Sequence, residues 1–223
     1  MNWVEKSITE SKKLRTHFRM NSIDIYIKDM LPDNINPDVV FNYIAKRIPS
    51  HLMSHIDIIY VGQFDMFKEK DVNALYDDGA IYVTNNQTDE NDMIDDIIHE
   101  IAHSVEEKYY EYIYEDQLLK KEFLGKRQRL YSILSANDYE PHNKVRNTFV
   151  YDDDIDMYFY KDVGYDKMWY LVNGLFPSPY AATSLREYFA VGFEYYYIKD
   201  RSLLKKECPF LYNKLAEIEF PED

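Results

Sequence analysis

The spacing of apolar and polar positions predicts three strands in the first part of the chain. Ile23, Ile25 and Ile27 alternate with polar residues, and this period of two is typical of a half-buried strand. Residues 56–62 form an apolar run that predicts a more deeply buried strand. Residues 80–84 predict a third, short strand.

Helical signals surround these strands. Residues 3–20 are mixed and charged, as in an amphipathic helix. Asn36 followed by Pro37 is a favourable helix start, because asparagine caps the first turn and proline suits the first helical position. A short helix is predicted over residues 66–76, ahead of a turn at residues 77–79.

The rest of the chain is predominantly helical by pattern. Thr88 is predicted to cap a long helix that runs to about Tyr112. Further helices are predicted at residues 113–135, at residues 184–198 and from Pro209 onwards. Residues 137–180 contain the strand-like pieces YFY and WYLV. The order of elements predicts an α+β fold, and 223 residues suit a single domain over residues 1–223.

Charge and composition narrow the classes of partner and compartment. The net charge of −14 repels nucleic acid and anionic membranes, so neither is an expected partner. The N-terminal residues lack the apolar core of a secretory signal, and no stretch has the length of a membrane span. A single cysteine, Cys208, cannot form an internal disulfide. We therefore expect a cytoplasmic protein, with secretion by a non-classical route left open.

The motif with the clearest chemistry is HExxH at residues 99–103. On a helix, His99 and His103 lie one turn apart on one face, so their imidazoles can bind one ion, and zinc suits such ligands. Glu100 is then placed to take a proton from a metal-bound water. The alternative is a pair of solvated surface histidines. The apolar flank of this helix, which includes Ile97 and Ile101, argues against that alternative.

Catalytic zinc usually takes three protein ligands and a water, so a third ligand is needed. Glu187 is the first candidate, because its surroundings are apolar and a buried carboxylate needs a partner. Ser184 and Glu187 also have the spacing of a capping box, which would explain the glutamate without a metal. His142 is a second candidate ligand, and Glu194 is a candidate ligand or supporting residue.

These residues resemble the anthrax toxin lethal factor family of HExxH zinc metallopeptidases, which includes the bacterial Pro-Pro endopeptidases. In that family a later helix of the form E-(F/Y)-F-A-x-x-F supplies the third ligand, and residues 187–193 match it. The family also has a tyrosine seven residues before that glutamate, where Tyr180 stands. The resemblance covers roughly residues 56–111 and 177–198. A second acidic residue common in the family is replaced by Val191, and residues 113–176 look like an insertion.

The resemblance implies a zincin-like fold, with a small mixed sheet packed on the HExxH helix and a mainly helical C-terminal half. It implies a zinc-dependent endopeptidase that hydrolyses a protein or peptide through metal-activated water. Glu100 would be the general base, and the phenol of Tyr180 would stabilise the oxyanion. It also implies that residues 80–84 form an edge strand, so that the main chain around Tyr82 would pair with substrate. A protein-binding module that has lost activity on the same scaffold is the alternative.

Two charged clusters are interpreted as solvated surface. The first is a basic stripe in the helix predicted at residues 113–135: Lys120, Lys121, Lys126, Arg127 and Arg129. The second is acidic and lacks the glycine and terminal glutamate of a calcium loop: Asp152, Asp153, Asp154 and Asp156.

Overall fold

The computed structural model describes residues 16–70 and 72–220, and the chain divides into two compact units. One unit extends to Ser104 and the other begins at Val105. The helix predicted over residues 3–20 lies for the most part outside the described residues, and His17–Met20 form a strand instead. Among the described residues, no helix is both long and apolar enough to span a bilayer.

A five-stranded mixed sheet organises the unit that ends at Ser104. In chain order its strands are β1 (His17–Met20), β2 (Ile23–Ile27), β3 (Ile58–Val61), β4 (Ala74–Asp77) and β5 (Ala80–Val83). In space the order is β1-β2-β3-β5-β4, with β2, β3 and β5 parallel and the two outer strands antiparallel to their neighbours. The three predicted strands are therefore confirmed as β2, β3 and β5.

The edge position expected for residues 80–84 is wrong. β5 lies between β3 and β4, so its main chain is paired on both sides. Within the described residues β4 takes that edge, where the sequence pattern predicts the end of a helix. Asp78 and Gly79 join β4 to β5 with φ of 42° and 82°. Two such positive values give a tight hairpin turn, and strand pairing across it overrides the helical pattern.

Alternation along the strands separates two faces of the sheet. Ile25, Ile59 and Ile81 stand in register across the three parallel strands, and none of them is exposed. The next residue of each strand is a tyrosine on the opposite face, because side chains alternate along a strand. These rings stack at centroid distances of 6.2 and 5.4 Å in the row Tyr26, Tyr60 and Tyr82.

The helices of this unit are α1 (Pro37–Arg47), a 3-10 turn (Ser50–Met53), α2 (Asp65–Lys70) and most of α3 (Glu90–Lys108). The predicted start of α1 is confirmed, since the side chain of Asn36 accepts from the Asp38 amide at 3.1 Å. The predicted cap of α3 is wrong by one residue. Oδ1 of Asp89, rather than Thr88, accepts from the amides of Asn91 and Asp92 at 2.8 and 3.0 Å.

The unit that begins at Val105 contains helices and no strand in its described part. Its helices are α4 (Tyr110–Tyr114), α5 (Leu118–Ala136), α6 (Lys144–Asn147), α7 (Asp153–Met157), a π-helix (Tyr158–Val163), α8 (Tyr165–Leu171), a 3-10 turn (Tyr180–Ala182), α9 (Leu185–Tyr197), α10 (Arg201–Glu207) and α11 (Pro209–Glu219). The predicted long helices are confirmed as α5, α9 and α11. The interpretation of YFY and WYLV as strand-like is wrong, because both lie in helical segments.

The prediction that the basic stripe on α5 is solvated is also wrong for two of its residues. Lys126 is buried, and its ammonium donates to the carbonyls of Leu175 and Glu207. Arg127 has no exposed surface, and its guanidinium donates to the carbonyls of Val145, Ala182 and Thr183. These two cations therefore fix main-chain segments of the unit, which a binary pattern cannot anticipate.

Candidate metal centre

Helix α3 carries the HExxH residues. His99 and His103 lie one helical turn apart, and their rings meet edge to face with centroids 4.9 Å apart. His103 is buried and His99 is half-buried. The apolar flank is buried as predicted, with no exposed surface at Ile97 or Ile101. The interpretation as solvated surface histidines is therefore wrong.

Glu187 lies in the first turn of α9, and 8% of its surface is exposed. Oγ of Ser184 caps the helix by accepting from the Glu187 amide at 3.1 Å. The capping interpretation is thus correct for the serine. Because this contact uses the main-chain amide, it does not compete for the carboxylate of Glu187.

The three predicted ligands form a group that could hold a metal ion. His99, His103 and Glu187 each offer one ligand atom, and these atoms all lie within 4.8 Å of one another. Two imidazole nitrogens and a carboxylate oxygen are a donor set that zinc accepts, and other divalent metals also bind such ligands.

Glu100 is 7% exposed and points to the edge strand of the sheet. Its Oε2 accepts from the Tyr76 amide in β4 at 2.6 Å. In the β4–β5 ladder the Thr84 amide donates to the Asn73 carbonyl, so the alternating pattern turns the Tyr76 amide away from β5. The predicted general base is therefore held by an outward-facing amide of β4.

Tyr82 does not occupy the open edge expected for it. Its main chain lies in β5, paired with Tyr60 on one side and Leu75 on the other. Its ring packs against Tyr60 at 5.4 Å and edge-on to Phe64 at 5.2 Å. A role for Tyr82 in substrate binding stays a prediction that no longer has strand addition as its physical basis.

Tyr180 opens the 3-10 turn before α9 and is 41% exposed. Its phenol pKa is raised by partial burial, and then by the negative charges of Glu187 and Asp156. The phenol is therefore protonated at neutral pH and can act as a hydrogen-bond donor close to the Glu187 carboxylate.

The two other candidate ligands lie elsewhere. His142 is exposed, and its Nδ1 accepts from the Lys144 amide at 3.2 Å. Glu194 is buried, and its carboxylate pairs with the Lys199 ammonium at 2.5 Å. Neither belongs to the group formed by the three predicted ligands.

Two further acidic residues of α3, Asp96 and Glu106, are at least partly buried. Burial raises the pKa of Asp96 to about 6, while the Gln87 amide, which donates to Asp96 at 2.9 Å, opposes the rise. Glu106 is buried and accepts from the Tyr114 hydroxyl at 2.5 Å. Both lie three residues from a histidine of the motif, and that spacing was the available signal.

Comparisons with protein-family models, curated proteins and solved structures find no match for this chain. The functional interpretation therefore depends on the residues and their geometry.

Proposed function

We propose that the protein is a zinc-dependent endopeptidase with a zincin-like metallopeptidase fold. His99, His103 and Glu187 hold the zinc, Glu100 is the general base and Tyr180 is the oxyanion donor. The observation that carries the proposal is the grouping of the three predicted ligands within 4.8 Å. Two of them belong to the HExxH motif, and the third lies 84 positions beyond His103 along the chain.

The donor set supports zinc in this site. With ligands at about 2.1 Å, a tetrahedral zinc site separates its ligand atoms by about 3.4 Å. Ligand atoms that all lie within 4.8 Å of one another are compatible with this separation. A catalytic site keeps one position open for water, which three protein ligands allow.

The chemistry divides between the ion and the side chains. Bound zinc supplies a Lewis acid that lowers the pKa of water to about 7 and polarises the scissile carbonyl. Glu100 takes the proton of the attacking water and delivers it to the leaving amine. The Tyr76 amide holds Oε2 of Glu100, so this proton transfer uses a carboxylate with a fixed orientation. The protonated phenol of Tyr180 donates to the oxyanion of the tetrahedral intermediate.

The substrate is a protein or peptide in extended conformation. We place it along β4 rather than β5, since the main-chain groups of Ala74 in β4 point away from β5. The peptide would add a strand at this edge and bring its main chain close to Glu100, whose carboxylate already contacts Tyr76.

Zinc content and peptide cleavage test the proposal together. Purified protein should carry about one zinc per chain and cleave members of a peptide library, and a chelator should abolish the cleavage. Glu100→Ala should keep the zinc and lose at least about 100-fold in kcat/KM. Glu107→Ala changes an exposed glutamate of the same helix, so it should retain activity and serves as the control.

The ligand assignment has its own pair of variants. Glu187→Ala should lose zinc, whereas His142→Ala should keep both zinc and cleavage. Cleavage by the Glu100→Ala protein would overturn the assigned base. A wild-type protein that binds zinc but cleaves no library member would favour the inactive binding module instead.

A further inference from the structure

A carboxylate surrounded by phenols lies near Glu187, within the unit that begins at Val105. Asp156 of α7 accepts from the Tyr165 hydroxyl at 2.9 Å and from the Tyr151 hydroxyl at 3.3 Å. The two tyrosines come from either side of α7, so the local chain folds around this aspartate. All three residues belong to the segment that the sequence identifies as an insertion.

The electrostatics connect this group to the residues of the metal centre. The phenol pKa of Tyr151 is raised to about 12 by burial, then by Asp156, with a smaller contribution from Glu187. Burial, Asp156 and Glu187 likewise raise the pKa of Tyr165. The charge of Asp156 also raises the pKa of Tyr180, after burial and Glu187. Asp156 and the three phenols therefore lie close to one another and to Glu187.

The hydrogen-bond partners of Asp156 in the described residues are neutral phenols rather than cations. The nearby acids differ, since the Lys144 ammonium pairs with Asp152 at 3.0 Å and with Asp154 at 2.7 Å. An ionised carboxylate has about four acceptor positions, and two hydrogen bonds leave the others available. Among the ion pairs of the described residues, none involves Asp156.

The surroundings favour an organic cation over a hard metal ion. Calcium needs six to eight oxygen ligands, whereas Asp156 is one carboxylate, and Asp152 and Asp154 are engaged by Lys144. Tyr151 and Tyr180 are 51% and 41% exposed, so aromatic surface is accessible beside the carboxylate. A guanidinium or ammonium group can pair with the carboxylate and pack on such rings.

We infer that Asp156, together with Tyr151, Tyr165 and Tyr180, forms a specificity subsite for an arginine or lysine side chain of the substrate. We call these four residues the Asp156 subsite. The inference rests on the proposed peptidase function and adds the class of substrate: a peptide with a basic residue near the scissile bond. The net charge of −14 would also attract such a peptide.

The test compares library peptides that carry arginine or citrulline at one position. Citrulline keeps the shape of arginine without its charge, so the ratio of kcat/KM isolates the ionic contribution. At one position, wild-type protein should prefer arginine by about tenfold, chiefly through KM, since a single desolvated charge pair has about this effect. Asp156→Asn should bring the ratio to within about twofold of unity.

Two further variants separate the subsite from general electrostatics. Asp162→Asn makes the same change in net charge at an exposed residue and should keep the preference. Tyr165→Phe keeps the ring but removes one hydrogen bond to Asp156, and it should weaken the preference for arginine. A preference for arginine that persists in Asp156→Asn would overturn the inference.

A binding measurement tests the Asp156 subsite independently of peptide cleavage. The same labelled peptides are titrated into Glu100→Ala protein and into Glu100→Ala/Asp156→Asn protein, and fluorescence anisotropy is recorded. Tighter binding of the arginine peptide that is lost with Asp156 supports the subsite even if no peptide is cleaved, in which case only the peptidase proposal fails. Equal binding of the two peptides to the Glu100→Ala protein would refute the subsite.

Discussion

The two units of the protein fill their interiors differently. In the unit that ends at Ser104, β2, β3 and β5 bury an aliphatic row, with Ile25, Ile59 and Ile81 in register. In the unit that begins at Val105, helix α5 buries the cations Lys126 and Arg127. The first interior follows the hydrophobic pattern of the chain, whereas the second depends on cations that bind main-chain carbonyls.

This difference shows that a charged residue can stabilise the interior when it binds main-chain carbonyls. A buried charge is costly unless it is well hydrogen-bonded, and Arg127 donates to three carbonyl acceptors through Nε and Nη1, while its buried Nη2 has no acceptor among the described residues. Two of these carbonyls, Ala182 and Thr183, lie between Tyr180 and the Ser184 cap of α9. The side chain of Arg127 thus fixes the main chain between two residues of the candidate site.

The substitution of Arg127 tests this difference between the two interiors most directly and should have the largest effect on stability. Burial lowers the pKa of Arg127 to about 10, so the guanidinium remains charged at neutral pH. We expect Arg127→Met to reduce the free energy of unfolding by about 3–4 kcal/mol, because three buried carbonyls lose their donor. Urea denaturation measures the change.

Arg129→Met is the matched control, since Arg129 is exposed on the same helix. Its effect should stay within about 0.5 kcal/mol, as for most surface substitutions. Equal effects of the two substitutions would show that the buried guanidinium contributes nothing specific.

The second prediction concerns pH and the unit that ends at Ser104. The pKa of Asp96 rises from 3.8 to about 6 on folding, so the folded state binds the proton more tightly. The contribution of Asp96 to the free energy of unfolding is fully present below pH 4. It is lost as the pH rises through the folded-state pKa of about 6. The loss amounts to about 2–3 kcal/mol, at 1.36 kcal/mol for each unit of pKa.

Asp96→Asn should therefore raise the free energy of unfolding at pH 7.5 by about 2 kcal/mol and leave it unchanged at pH 3.5. The measurement is urea denaturation of chelator-treated protein at both pH values. A gain of the same size at pH 3.5 would contradict the assignment to ionisation.

The smallest predicted effects come from two helical glycines of the unit that begins at Val105. A Cβ at Gly192 of α9 would meet the Leu211 side chain, with Cγ at 2.8 Å, whereas a Cβ at Gly125 of α5 meets nothing within 4 Å. We expect Gly192→Ala to destabilise by about 1 kcal/mol and Gly125→Ala to stabilise by about the same amount. Thermal unfolding of the two variants should give shifts of opposite sign, and shifts of the same sign would refute the packing argument.

The sequence allowed most of the sheet to be predicted, because Ile23, Ile25 and Ile27 alternate in a way that only a strand explains. It missed β4, since ALYD has no clear period and becomes a strand through the positive φ at Asp78 and Gly79. The helical stretch after α7 was misread as strand. There the buried residues are spaced by four or five positions, as at Phe159, Val163 and Met168, and this helical period was hidden by the aromatic residues between them.

The candidate site was predictable to the extent that its residues belong to local motifs. The spacing of His99, Glu100 and His103 is fixed within one helix, so the motif itself implied their arrangement. The contact between Glu100 and the Tyr76 amide could not be predicted, because it depends on which strand takes the edge of the sheet. The Asp156 subsite was missed for a similar reason, since its tyrosines meet only after the chain folds around α7.

Because the Tyr76 amide donates to Glu100, the hydrogen-exchange rate of this amide reports whether the Glu100 carboxylate is in place. Amides at a sheet edge ordinarily exchange with solvent deuterium quickly, yet this one is sequestered by a side chain 24 positions away. Any ligand that draws the carboxylate away releases the amide. The isotope-exchange rate of a single peptide group therefore tracks the engagement of the glutamate without a substrate assay.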